Sequence, residues 1–153
     1  MSEVETLAVA ALIAASPVGH AAAVAYGIVH GAPPVPLILV TGVAGYLPVE
    51  LARPLDALLG PWLRRLVRGL HGREEERARR CVVRYGTTLG IFLITVFFGT
   101  YVTMAVMLLL GATGDRKAHL SALAGSLTLS ALSWATGHTV VSTLKTIWGK
   151  PVP

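Results

Sequence analysis

Three stretches of this chain contain no Asp, Glu, Lys or Arg: 6–49, 85–114 and 118–144. A helix crossing the hydrocarbon of a bilayer needs about 20 apolar residues, so each stretch is long enough to cross at least once. The composition agrees. The 153 residues are 54% hydrophobic and only 14% charged, a balance typical of membrane proteins rather than soluble domains. Lipid offers the backbone no hydrogen-bond partner, so crossing segments of this length should be helical. The expected class is an all-α integral membrane protein, multi-pass in the cell membrane.

The remaining charge is concentrated in the middle. "RRLVRGLHGREEERARRCVVR", from Arg64 to Arg84, holds eight Arg and three Glu. Trp62, Leu66 and Leu70 alternate with Arg64, Arg65 and Arg68, as in a helix lying in the interface with guanidiniums reaching headgroup phosphates. Glu75 with Arg79, and Glu76 with Arg80, are spaced to pair across one helical turn. The arginine excess assigns this segment to the cytoplasm and accounts for most of the net charge of +5. Nucleic acid is therefore not an expected partner. The N-terminus has Glu3 and Glu5 where a secretory signal carries basic residues, so no cleaved leader is expected. The single cysteine, Cys81, has no disulfide partner and no metal-ligand spacing around it.

Two topologies compete. Four simple helices over roughly 5–30, 36–60, 85–110 and 118–145 would put "GDRK" (Gly114 to Lys117) outside, against the positive-inside tendency. They would also run through Ser16-Pro17-Val18-Gly19 and Phe98-Gly99-Thr100, which proline and glycine disfavour. The second topology makes these breaks the tips of re-entrant helical hairpins, each followed by one crossing helix. The tip residues are then Ser16, Pro17, Gly19, Phe98, Gly99, Thr100 and Tyr101. "GDRK" then joins the basic linker, and charge distribution favours this arrangement. The chain divides accordingly into a first membrane half (1–60), a linker (61–84) and a second half (85–147).

A repeat points the same way. Shifted by eighty positions, Gly19, Gly31-Ala32, Ala44-Gly45 and Leu47 fall on Gly99, Gly111-Ala112, Ala124-Gly125 and Leu127. Halves that enter from opposite sides form an inverted repeat, which many transporters use to alternate access to a midplane site. For Gly31, Gly42, Gly45, Gly111 and Gly125 the simpler role is close helix packing.

The order of segments also carries a family likeness. "ASPVGHAAAVAYGIVHG", "GYLPVELARPL", a basic linker, "RYGTTLGIFLI", a Gly-Thr break and "LLLGATGDRKAHLSALAGSL" follow one another between about Ala11 and Trp134. This pattern resembles the small multidrug export family, prokaryotic membrane proteins distantly similar to the DedA type. The resemblance implies two hairpin-plus-helix halves and a transport role. It departs from the family pattern at Leu12 to Ala15, which are apolar where members often carry charge. It departs again at Phe98-Gly99, where a Pro-Gly pair is usual.

Ionisable groups at membrane depth are costly and so become functional candidates. Glu50, Arg53 and Asp56 follow at intervals of three along one helix, so the arginine can reach both carboxylates. Pro54 has no N–H for the Glu50 carbonyl. Arg53 and Asp56 read as groups snorkelling to the interface, which leaves Glu50 as the coupling carboxylate. His20, after the first break, and His138, one turn beyond Trp134, are the histidine candidates. His30, His71 and His119 read as interfacial, and Tyr46 as an anchor or packing group.

Phosphate-binding loops, metal triads and nucleophile elbows are absent from the sequence, so no enzyme, cofactor or metal is expected. The expected function is ion-coupled export of a small cationic or amphipathic solute, with the bilayer and that substrate as partners. The alternatives are a DedA-like lipid translocator or scramblase, recruiting anionic headgroups through the basic linker, and a non-transporting membrane assembly protein. A homodimer would help so short a chain enclose a pathway.

Overall fold

The computed structural model describes residues 2–16, 19–69 and 73–148, and the side chains of 2–16, 19–62 and 86–143 among them. Every regular element in that range is a helix: α1 (Glu3–Ala15), α2 (Gly19–Val29), α3 (Pro34–Glu50), α4 (Ala52–Gly69), α5 (Arg73–Phe98), α6 (Thr100–Leu110) and α7 (Arg116–Trp148). Ser2 starts α1 with a capping box. Its hydroxyl accepts the Glu5 N–H, and the Glu5 carboxylate accepts the Ser2 N–H at 2.7 Å. The two acidic residues thus sit at the positive end of the helix dipole.

The apolar stretches 5–30 and 85–110 are each broken into two arms, so neither is a single crossing helix. The α2 and α6 arms have 11 residues each, about 16 Å at 1.5 Å per residue, roughly half the hydrocarbon thickness. Gly86, with φ +74 and ψ 152, kinks α5 and leaves Gly86–Phe98 as a short apolar helix. Each pair doubles back at a glycine with positive φ, Gly19 (+84) in the first and Gly99 (+83) in the second. Ala14 packs in one buried cluster with Ala23 across the first tip. Across the second, the Thr95 and Thr103 hydroxyls bond at 2.9 Å.

The eighty-residue repeat is present atom for atom where the second arms end. Gly31 N–H bonds the Ile28 carbonyl and Ala32 N–H that of Gly27; Gly111 N–H bonds Leu108 and Ala112 N–H Met107. Both are Schellman closures, with Gly31 and Gly111 at φ +72 and +66. At Gly99 the constraint is backbone strain, since φ 83 with ψ 174 is a region essentially restricted to glycine and no atom stands near its absent Cβ. Gly99→Ala should therefore lower stability by about 1–3 kcal/mol in detergent denaturation, without any steric clash.

Among the described residues one helix is long and apolar enough to cross a membrane, Pro34–Trp62, with 29 residues and about 44 Å of rise. It joins α3 to the start of α4, because Leu51 N–H still bonds the Leu47 carbonyl and Leu55 N–H that of Leu51. Along it Val35, Leu39, Val43, Leu47 and Leu51 recur every four residues, and each is more than half exposed. Leu37, Thr41, Val49 and Ala52 are fully buried on the other side. α7 is longer, at 33 residues, but its serines, threonines and histidines keep it below that apolarity.

The chain forms two compact units, Met1–Gly45 with Leu127–Pro153, and Tyr46–Ser126. The partition cuts α3 and α7 rather than following the sequence halves, so each unit holds one helical hairpin and a piece of both long helices. In the first, Ala10, Val24 and Leu37 form a core against Trp134. In the second, Tyr46, Val49, Ile91, Met107, Ala118 and Ala122 do so. The same four-part packing is built twice from different residues.

Candidate functional site

Glu50 lies in the second unit, one turn beyond Tyr46 on α3, so the two side chains share a face. Val49 is buried against Ile91, Met107, Ala118 and Ala122, which presses the end of α3 onto the start of α7. That packing brings His119, in the first turn of α7, against Tyr46 although 73 residues separate them. The Tyr46 hydroxyl hydrogen-bonds the Glu50 carboxylate on one side and His119 Nδ1 at 2.7 Å on the other. The two rings meet edge to face, with centroids 6.2 Å apart. His119 Nδ1 is also 3.4 Å from Glu50 Oε1.

The far nitrogen is fixed too. His119 Nε2 lies 2.8 Å from the Thr113 carbonyl oxygen, which can only accept, so Nε2 carries a hydrogen. The Thr113 hydroxyl in turn donates to Asp56 Oδ2 at 2.8 Å. Thr113 therefore ties the turn before α7 to α4 and clamps the imidazole at once. Asp56 is half-buried and held by this bond.

A cavity of about 360 Å³ opens beside this chain of groups. Tyr46, Glu50 and His119 line it together with Arg53, Arg116 and leucines of α7. His119 and Tyr46 are buried, whereas the Glu50 side chain is 49% exposed and is the cluster's point of contact with the cavity. Arg53 and Arg116 are exposed at the same opening. Chemically, the site presents one titratable carboxylate, wired through a phenol to an imidazole, beside two permanent cations.

The other sequence candidates lie elsewhere. His20 is buried in the first unit at the start of α2, its ring against the backbone of Gly45. His138, in the same unit, is exposed and stacks on Trp134 with centroids 5.1 Å apart. Ser16 closes α1 by donating its hydroxyl to the Ile13 carbonyl at 2.7 Å. At the second tip, Phe98 and Tyr101 are exposed while Thr100 is buried. Pro17 and the side chains of Arg64, Arg65 and Arg68 lie outside the described residues. No group of three or more His, Cys, Asp or Glu side chains that could hold a metal occurs among the described residues.

Sequence reasoning found Glu50 but missed its partners. The Tyr46–Glu50 spacing of four was legible as a helical pair. His119 was read as interfacial because it follows the polar turn at 114–117, yet it is only 8% exposed. Nothing local announces its pairing with Tyr46. No family model, curated protein or solved structure matches the chain.

Proposed function

We propose that this protein is a small proton-coupled membrane transporter, as the likeness to the small multidrug export family implies. The observation that carries the reading is the bonding of Glu50 to Tyr46 and His119 at the mouth of a cavity. A carboxylate with built-in proton partners suits coupling better than it suits structural support, because half of its side chain remains accessible.

Membrane placement is supported by the exposed stripe from Val35 to Leu51, which in water would form an extended apolar face and in lipid meets acyl chains. Re-entrant hairpins are supported by arms about half a bilayer long, and by the bond from Thr113 to Asp56. That bond holds the 113–117 turn beside the end of the crossing helix that leads into the arginine-rich linker. In this reading both lie at the cytoplasmic face, and the two halves enter from opposite sides as the charge distribution implies.

Charge narrows the solute. Two guanidiniums against one carboxylate make the cavity net positive when Glu50 is ionised, so an amphipathic solute with an anionic or neutral head fits better than a cation. The same pair of arginines favours a second reading, a translocator of anionic lipid. Proteoliposomes separate the two. Proton movement coupled to an amphipathic anion, reported by an entrapped pH dye and lost in Glu50→Gln, is the expected result. Unchanged coupling in that variant removes Glu50 from the mechanism. Fluorescent lipid scrambling that needs no ion gradient points to the translocator, and neither activity points to an assembly protein.

A further inference from the structure

We infer that Glu50, Tyr46 and His119 share a single exchangeable proton, which Tyr46 passes between the carboxylate and the imidazole. The inference takes Glu50 as the titratable group of the proposed transporter, but it concerns the proton alone and is tested without transport.

The argument is a count of hydrogens. Three contacts need donors: Glu50 to Tyr46, Tyr46 to His119 Nδ1, and His119 Nε2 to the Thr113 carbonyl. The third is always supplied by Nε2–H. The phenol has one hydrogen and can donate to one neighbour only. If it donates to Nδ1, Glu50 must be a carboxylic acid donating to the Tyr46 oxygen. If it donates to the carboxylate, Nδ1 must carry a hydrogen, and His119 is an imidazolium.

Both arrangements contain the same number of protons, and both leave no contact unmade. They interconvert by two concerted transfers. The Glu50 O–H bond breaks as its proton joins Tyr46 Oη, and the original Tyr46 O–H bond breaks as its proton joins His119 Nδ1. The net change is carboxylic acid plus imidazole to carboxylate plus imidazolium. A third arrangement, with Glu50 ionised and His119 neutral, holds one proton fewer and leaves the phenol able to satisfy only one neighbour. Proton loss from the cluster therefore breaks a hydrogen bond, whereas proton transfer within it does not.

The surroundings suit this. Arg53 from α4 and Arg116 from α7 line the same cavity as Glu50. Asp56 is linked to His119 through Thr113, whose hydroxyl donates to Asp56 and whose carbonyl accepts from His119. Among the described residues, α5 and α6 contribute Ile91 and Met107 to the buried cluster that holds Tyr46. Glu50 is the exposed end of this chain of groups and His119 the buried end, so exchange with the cavity takes place at Glu50. The proton's position sets whether the cavity wall carries a carboxylate or a neutral acid, so the charge seen by a solute changes without exchange with water.

The test follows both ends of the relay in full-length protein in phosphatidylcholine vesicles. The carboxylic acid C=O band of Glu50, identified by its loss in Glu50→Gln, is read by infrared spectroscopy. The His119 ring nitrogens are read by ¹⁵N resonance, assigned by loss in His119→Asn. As pH rises, the wild type should lose the Glu50 acid band and the His119 imidazolium signal at one shared midpoint. Tyr46→Phe, which keeps the ring and removes only the oxygen, should split that midpoint by more than about one pH unit. Separate midpoints in the wild type would overturn the shared proton. A shared midpoint that survives in Tyr46→Phe would overturn the relay. A shared midpoint split by Tyr46→Phe, in protein that moves no solute, would uphold this inference and remove the transporter reading.

Discussion

Gly45→Ala should destabilise this protein by about 1–3 kcal/mol, toward the upper end, even though alanine is the better helix former. A Cβ at position 45 would stand 2.1 Å from His20 Nε2 and 2.3 Å from Cε1. The imidazole is a rigid ring only 4% exposed, so it cannot fold aside as an alkyl tip can. Gly125, the repeat partner of Gly45, comes next. Its Cβ would lie 2.7 Å from Thr95 Cβ and 3.0 Å from the Phe92 carbonyl oxygen, and the latter is backbone. Two other glycines are the controls. At Gly137 the nearest atom is Ile28 Cδ1 at 3.0 Å, the flexible end of a side chain, and at Gly114 nothing lies near. Gly137→Ala should be close to neutral or slightly stabilising, by up to about 1 kcal/mol through helix propensity. Denaturation in detergent should rank the losses Gly45, Gly125, Gly114 or Gly137. Equal effects at all four would mean that close approach of helices at the repeated glycines does not hold the units together.

That ranking was only half legible in the sequence. The eighty-residue shift marked Gly45 and Gly125 as equivalent, and the Pro and Gly breaks located both hairpin tips. They did so because turn geometry is local: a positive φ at Gly19 or Gly99, or a Schellman closure at Gly31 or Gly111, is written in the glycine itself. What each glycine packs against was not legible. Gly45 meets a buried histidine and Gly125 meets a threonine, and those identities depend on long-range docking that spacing does not encode. The site divides in the same way. Glu50 stood out because a carboxylate inside an apolar run has to be explained, whereas Tyr46, four residues before it, was read only as an anchor or packing group. His119, Thr113 and Arg116 reached the site only because Val49 and Ala122 dock two helices distant in sequence. Arg53 and Asp56 were grouped with Glu50 on one helical face; the structure puts Arg53 at the cavity with Glu50 and gives Asp56 a bond to Thr113, which spacing could not foretell.

The docking of α7 on α3 has a consequence that reads as all or none. In intact cells, an impermeant maleimide should reach neither native Cys81 nor Lys117→Cys in a Cys81→Ser background, and both should react once the membrane is opened. Glu3→Cys should react from outside. Two independent features lead to this expectation. The Thr113 hydroxyl bonds Asp56 and the Thr113 carbonyl bonds His119, so the 113–117 turn lies at the end of the crossing helix Pro34–Trp62 that runs on into the linker. Arg116 and Lys117 also carry basic charge like that of the linker, and such charge favours the cytoplasmic side of a membrane. Four simple crossings would put Lys117 on the opposite face from Cys81, and that arrangement would need the Thr113–Asp56 and His119–Tyr46 bonds to be broken. Labelling of Lys117→Cys from outside would therefore remove the re-entrant hairpin from the second half. It would also dismantle the Glu50–Tyr46–His119 site, because the imidazole reaches Tyr46 only while the turn before α7 stays beside Asp56.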